Sequence, residues 1–230
     1  MRSRSFLALL TVAVALPLAA QRTDTRPGIA VLPFFNGGSI GQDKEDFEAL
    51  QYGIQGMLIS ELASNPSARV VEREVLQRLV EEQNLGSSGR VEPGTAARIG
   101  KLVGARYVIV GTFIDFYGDF RIDARLVDVE TSELVRTQSD RMQRDHLFDL
   151  IKGLSTKLMK DANLPPLPRQ TSDSRQGRQV PTEALTYYSR AILYQNRGDK
   201  DKAVEMYRKA LDVFPEYAEA NEGLQRVQRS

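Results

Sequence analysis

Tyr107-Val108-Ile109-Val110 is apolar at every position, the pattern of a strand buried on both faces. Turn residues at Tyr117-Gly118-Asp119 and Glu130-Thr131-Ser132 cut the chain beyond it into two further strands. Around the first turn Asp115, Asp119, Arg121, Asp123 and Arg125 share one parity, and Phe116, Phe120, Ile122, Ala124 and Leu126 share the other. A period of two predicts one wet face and one buried face. Leu134 to Met142 completes the strands, and Leu147, Leu150, Ile151, Leu154 and Leu158 mark a closing amphipathic helix.

Upstream, Ile29-Ala30-Val31-Leu32-Pro33-Phe34-Phe35 is a short apolar run stopped by Asn36-Gly37-Gly38 and reads as a buried strand. Phe47, Leu50, Ile54, Met57, Leu58 and Leu62 recur at helical spacing, with Asp43, Glu45, Asp46 and Glu48 at the end where the helix dipole favours acids. Arg69-Val70-Val71 is a second short strand. Glu72 to Asn84 is a helix ended by Gly86-Ser87-Ser88-Gly89, and Thr95 to Val103 is another. The order β-α-β-α-α-β-β-β-α predicts an α/β domain over 27–163, a mixed sheet with packed helices.

Residues 164–181 carry Leu164-Pro165-Pro166-Leu167-Pro168 and then a polar run with little to bury, which reads as a flexible, extended linker. Residues 182–230 are rich in helix formers and Tyr. Taking Ala184 as the first position of a 34-residue unit puts Tyr187 fourth, Ala191 eighth, Tyr194 eleventh and Gly198 fifteenth. Ala203, Tyr207, Ala210 and Pro215 fall on the twentieth, twenty-fourth, twenty-seventh and thirty-second. This is the tetratricopeptide (TPR) pattern: small residues where two helices touch, aromatics in the gap and Pro closing the second helix. Tyr187 stands for the usual Trp and Arg190 for the usual Leu. Tyr217 to Gln228 adds a capping helix, so the tail is an all-α hairpin plus cap. One repeat is shorter than such arrays need alone, so it must lean on the α/β domain, a second copy or a partner.

The chain has 230 residues, 31 Lys+Arg against 30 Asp+Glu, one His and no Cys. That balance gives no global pull toward nucleic acid or anionic membrane. Disulfides, Cys-ligated metal centres and thiol nucleophiles are excluded. Met1-Arg2-Ser3-Arg4, an apolar run from Phe6 to Leu16 and Ala19-Ala20 form the n-, h- and c-regions of a signal peptide over 1–20. The apolar run is too short to span about 30 Å of hydrocarbon. The mature chain is expected to begin at Gln21, to have no integral membrane segment and, lacking Cys, not to be a lipoprotein.

Candidate chemistry is sparse. Asn36-Gly37-Gly38-Ser39-Ile40-Gly41 sits where a phosphate cradle could lie, but it matches neither glycine-rich fingerprint, and Asp43, Glu45 and Asp46 follow it. Asp115, Asp119 and Asp123 could form a carboxylate cluster, yet interleaved Arg121 and Arg125 favour ion pairs on a solvated face. His146 reads as a surface residue at a helix start with Asp145 as cap. No catalytic, cofactor or metal residue is assigned. The best binding surface is the TPR groove face: Leu185, Tyr188, Ile192, Gln195 and Asn196, positions two, five, nine, twelve and thirteen of the unit. The competing reading packs them on the α/β domain or a second chain.

Four stretches resemble the CsgG-like family, the curli-secretion component and soluble relatives such as the N-terminal domain of TolB and LpoB-type envelope lipoproteins. They are Ile29 to Phe34; Val70-Val71-Glu72-Arg73 with Leu76, Leu79, Glu82 and Gln83; Gly104 to Gly111; and Arg125 to Glu133. The resemblance spans 29–160. It implies a non-enzymatic bacterial envelope protein with a periplasmic α/β domain and no cofactor. The paired alternating runs of about ten residues that would build a membrane barrel are missing after Gly111 and after Leu134. The expectation is therefore a periplasmic assembly or adaptor protein, peripheral to the outer membrane. It would self-associate and bind an envelope protein or peptide through the CsgG-like domain and the TPR. The alternative is a component of a curli-type outer-membrane secretion apparatus.

Overall fold

The structure is a computed structural model that describes residues 24–82 and 91–229; the signal-peptide reading over 1–20 and the helix-breaking run at 86–89 fall outside the described residues. Strand β4 (Tyr107–Phe116) forms an antiparallel meander with β5 (Asp119–Asp128) and β6 (Leu134–Gln143). On its other side β4 pairs in parallel with β1 (Gly28–Val31) and, further along, with the short β2 (Phe35–Asn36); β1 also pairs in parallel with β3 (Arg69–Val70). The order is β3-β1-β4-β5-β6, with β2 beside β4.

Parallel neighbours need crossover helices, and these cover both faces. Helix α1 (Lys44–Ala63) and α4 (Leu147–Asp161) pack on the face that carries Ile29, Val31, Ile109, Phe120, Ile122 and Leu126. Helices α2 (Arg73–Glu82) and α3 (Pro93–Leu102) cover the opposite face, against Ala30, Leu32, Val108, Val110 and Val127. That double burial is why β1 and the first half of β4 are apolar without alternation. The mixed sheet with packed helices is as expected.

Two local readings change. The turn between β4 and β5 is Tyr117-Gly118, with φ of 51° and 92°, the two-residue type I′ geometry in which both central residues take positive φ. Phe116 therefore lies opposite Asp119. Even positions of β4 share a face with odd positions of β5, so parity inverts across the turn. Asp115 is consequently buried on the side of Phe113 and Phe120, and Phe116 is 60% exposed, the reverse of the sequence expectation.

The second change concerns the linker. Arg169–Gly177 is a nine-residue helix, α5, none of whose residues is buried. It is held by charge. Arg175 pairs with Glu61 of α1 at 2.6 Å and donates to Ser155 of α4 at 2.8 Å, while Lys152 donates to the Arg178 carbonyl at 2.9 Å. Leu164 and Val180, at either end, are buried in the main core. An extended run was expected because nothing in α5 has apolar periodicity. The anchor is an ion pair to one buried carboxylate, which hydropathy does not register.

The tail is α6 (Thr182–Asn196), α7 (Lys200–Val213) and α8 (Ala218–Arg229). Gly198, at φ 77°, turns the chain between the first two, and Asp199 caps α7 by accepting from the Lys202 N–H. The apolar core is continuous from Ile29 in the sheet to Val227 in α8.

Candidate functional site

Helix α6 lies along α1, and the closeness of the approach has a simple cause. Gly53 and Gly56 sit on the side of α1 away from the sheet. A Cβ on Gly53 would overlap Ser189, and one on Gly56 would come within 2.6 Å of the Tyr188 hydroxyl. With glycine at both places, the backbone of α1 itself forms the floor beneath α6. Helix α1 is thus buried on two sides, which is why Gly53 and Gly56 are buried along with its apolar stripe; Gln55 is buried toward the sheet, where it donates to the Val31 carbonyl at 2.8 Å, and Glu61 beneath Arg175. The Gly53-x-x-Gly56 spacing is the sequence signal for this second face, and the apolar periodicity passes over it.

The five groove candidates are all engaged by the chain itself. Leu185, Tyr188 and Ile192 are buried in the main core with α1. Gln195 accepts from the Tyr207 hydroxyl at 2.9 Å, and Asn196 accepts from Arg73 of α2 at 2.7 Å. The structure brings the five together on one side of α6, where α1 and α2 occupy the face a peptide would take.

Charge complementarity rims this contact. Arg190, the departure from the usual Leu, pairs with Asp46 at 2.5 Å. Arg197 pairs with Glu48 at 2.9 Å, and Tyr194 donates to Glu45 at 3.0 Å. The acids at the start of α1 therefore serve the tail as well as the dipole. At the far end Glu219 of α8 accepts from Ser60 of α1 at 2.5 Å and pairs with Arg178. Burial pushes the Glu219 carboxyl up, but the Arg178 hydrogen bond and charge outweigh it and leave the group below its usual range. Tyr188, Tyr207 and Tyr217 cluster inside, the Tyr188 ring centroid lying 6.2 Å from that of Tyr207 and 5.1 Å from that of Tyr217. Burial pushes the phenol of Tyr207 up to about 12 and raises those of Tyr188 and Tyr217 further.

The opposite end of the molecule is uncovered. Ile114, Phe116 and Tyr117 at the β4–β5 turn and Ile40 beside them are 38%, 60%, 71% and 42% exposed. The backbone beneath them is pinned. Gly37 N–H donates to the Phe113 carbonyl, Ile40 N–H to Asp115 and Tyr117 N–H to Ile40. Asn36 accepts from the Gly38 and Ser39 N–H groups. Buried Asp115 accepts from Gly118 N–H at 2.7 Å and pairs with Arg144 at 2.9 Å. Every N–H from Gly37 to Ile40 is thus already donated within the chain, which removes the donors a phosphate cradle would need.

The other candidates resolve as structure. Asp119 pairs with Arg141 and Asp123 with Arg121 on the solvated face, while Asp115 lies on the other face, so the three carboxylates do not converge. Among the described residues no group of three His, Asp or Glu side chains could hold a metal ion. His146 is exposed, 3.7 Å from Asp149, and the start of α4 has no side-chain cap, so Asp145 does not cap it. A cavity of about 600 Å³ lies between α4 and α5, walled by Gly153, Met159, Pro165 and Leu167. Three of its charged lining groups are already paired, Lys152 and Asp149 with each other and Arg175 with Glu61.

The architecture is a sheet covered on both faces and extended by a helical hairpin, and comparison with known proteins gives its class. Residues 16–121 match the family model for the curli production assembly/transport component CsgG. Residues 184–217 match the tetratricopeptide repeat, in the 34-residue frame that begins at Ala184. The chain therefore joins a CsgG-like domain to a TPR. Among solved structures it is similar to the LpoB C-terminal domain from Escherichia coli, with 16% identity over 55% of this chain and 89% of that one and a TM-score of 0.39. It is also similar to lipoprotein GNA1162 from Neisseria meningitidis, with 16% identity over 57% and 95% and a TM-score of 0.39. TolB from Acinetobacter baumannii is similar at 14% identity over 70% and 31%, with a TM-score of 0.37. No curated protein matches the chain.

Proposed function

We propose that this chain is an exported, non-enzymatic envelope protein that works in the periplasm, as a homo-oligomer, by binding another envelope protein. The CsgG-like and TPR matches support a protein-binding role. The observation that carries the reading is the division of surfaces. The TPR groove face is filled by α1, while the β4–β5 turn presents Ile40, Ile114, Phe116 and Tyr117 on a backbone fixed by hydrogen bonds. Aromatic side chains on a rigid support are the usual anchors of protein interfaces. The partner is therefore proposed to dock on the turn, and the TPR serves as a brace for α1.

The test is capture from envelope extract with the full chain and with a Phe116→Asp, Tyr117→Asp variant, followed by identification of the captured proteins. An envelope protein held by the first and lost by the second supports the reading. Equal capture by both moves the site away from the turn, and loss only on changing exposed residues of α7 would return it to the TPR.

The second reading, a component of a curli-type outer-membrane secretion apparatus, draws on the description of the matching family model. Among the described residues no helix is long and apolar enough to cross a membrane. This reading expects the chain to sediment with outer membranes after salt washing, and the first expects release into the soluble fraction.

A further inference from the structure

Strand β6 is ten residues long, almost wholly exposed, and the last strand of the sheet. Among the described residues nothing pairs with its outer side. The Arg144 N–H donates to the Gly118 carbonyl at 2.8 Å, which sets the phase of the β5–β6 ladder. In an antiparallel pair hydrogen-bonded and non-hydrogen-bonded positions alternate. From Arg136 to Met142 the even-numbered residues of β6 therefore turn their N–H and C=O toward β5, and Thr137, Ser139, Arg141 and Gln143 turn theirs outward; a bulge at Val135 shifts the register beyond, so that Leu134 falls opposite Val127. The side chains alternate too. Gln138 and Asp140 reach Asp161 and Lys157 of α4 on the helix-covered face, and Ser139 and Arg141 reach Asp123 and Asp119 on the other.

The sequence of this open edge is complementary to itself. With a twofold axis through Gln138, the outward-facing Thr137 and Ser139 form a hydrogen-bonded pair with their mates. On the helix-covered face Arg136 falls opposite Asp140 of the second copy, a pairing that occurs twice. A shift of two residues in either direction loses this. One shift sets Arg136 opposite Gln138, and the other sets it opposite exposed Met142. Opposite charges directly across a sheet favour the register that holds them.

We infer that β6 is a homotypic interface: two copies of this chain join edge to edge, antiparallel about Gln138, into one continuous sheet with their α4 helices side by side on the same face. The contact is isologous, the symmetry of most homodimers, and it satisfies an edge that would otherwise offer its ladder to any passing strand. The inference deepens the self-association part of the proposed function and rests on it. It does not depend on what docks at the β4–β5 turn.

The test uses three variants of the full chain. Ser139→Pro removes an outward N–H and leaves the β5 ladder intact, since Pro is tolerated where the N–H faces away from the sheet. Gln138→Cys places the only thiols of a chain without cysteine on the axis, where non-hydrogen-bonded Cα atoms lie about 4.5 Å apart, within disulfide reach. Gln143→Cys puts the thiol at the strand end, far from its mate. Light scattering of the unmodified chain should show its mass rising about twofold with concentration, and Ser139→Pro should stay at the monomer mass. Gln138→Cys should form a reductant-sensitive covalent dimer on mild oxidation, and Gln143→Cys should not. An oligomer that survives Ser139→Pro without a Gln138→Cys cross-link keeps self-association and overturns this interface. A monomer at every concentration with no cross-link overturns both. If Ser139→Pro fails to fold, the two cysteine variants decide the matter.

Discussion

Gly53 sets how near α6 comes to α1, because any Cβ there meets Ser189. Gly53→Ala should destabilise the chain by about 1–3 kcal/mol through overpacking, although Ala is the better helix former. Ser189→Gly in that background should recover part of the loss, and thermal melts of the four combinations give the coupling. Arg190 invites the opposite experiment. Restoring the TPR consensus with Arg190→Leu would leave Asp46 mostly buried without its cation. Removing one partner of such a pair costs about 3 kcal/mol even where the new residue suits the repeat, and denaturant melts should show the loss. These residues differ in legibility. Arg190 was visible as a departure from the repeat, and its reason appeared only when Asp46 was found opposite. Gly53 and Gly56 carry no apolar signal, so the periodicity that located α1 could show just the face it turns to the sheet.

At the scale of elements, apolar runs with one period are easy to place and elements held by a few polar contacts are not. The strands around Val108 and Ile122 and the helix around Leu154 follow directly from burial, and all three lie in the core. The β4–β5 hairpin shows the limit. Period two was correct within each strand, but a two-residue turn reverses parity between them, so Asp115 and Phe116 exchanged faces. Helix α5 shows another, since its attachment is Arg175 on Glu61 and not a stripe of apolar residues. That attachment makes a sharp prediction. Glu61 is 3% exposed, and its second cation, Arg178, is at 4.0 Å. Arg175→Ala should cost about 3 kcal/mol, the penalty of a buried carboxylate that loses its closest partner. Hydrogen exchange should accelerate first in 169–177, ahead of the sheet. Uniform acceleration would mean that α5 is not a separate latch.

Over the whole molecule, α1 belongs equally to the sheet and to the tail. The TPR is one repeat with a cap, too short to be stable alone, and its missing neighbour is supplied by a helix of the α/β domain. One core runs through both, so a single cooperative transition is expected. The composition break near residue 181 therefore does not mark where the molecule comes apart, and a chain ended there would expose the whole outer face of α1. The pH dependence follows from what is sealed at this seam. Tyr188, Tyr207 and Tyr217 are held neutral by burial, with the Tyr207 phenol at about 12. An unfolded phenol ionises near 10, so the unfolded chain releases protons first as pH rises. The stability these groups contribute is full below that point and is lost progressively above it. Glu219 has the opposite sign. Its folded pKa is depressed, so its contribution is present above the usual carboxylate range and lost as pH falls through it. Stability should thus fall at both ends, with Glu219→Gln flattening the acid limb and Tyr207→Phe the alkaline one. Tyrosinate absorbance followed together with circular dichroism checks the alkaline limb. If the seam joins one cooperative unit, the buried phenols titrate only as sheet and helix signals collapse together. Ionisation of all eight tyrosines while the sheet signal persists would mean that the tail detaches on its own, and α1 would then have a free face for a partner after all.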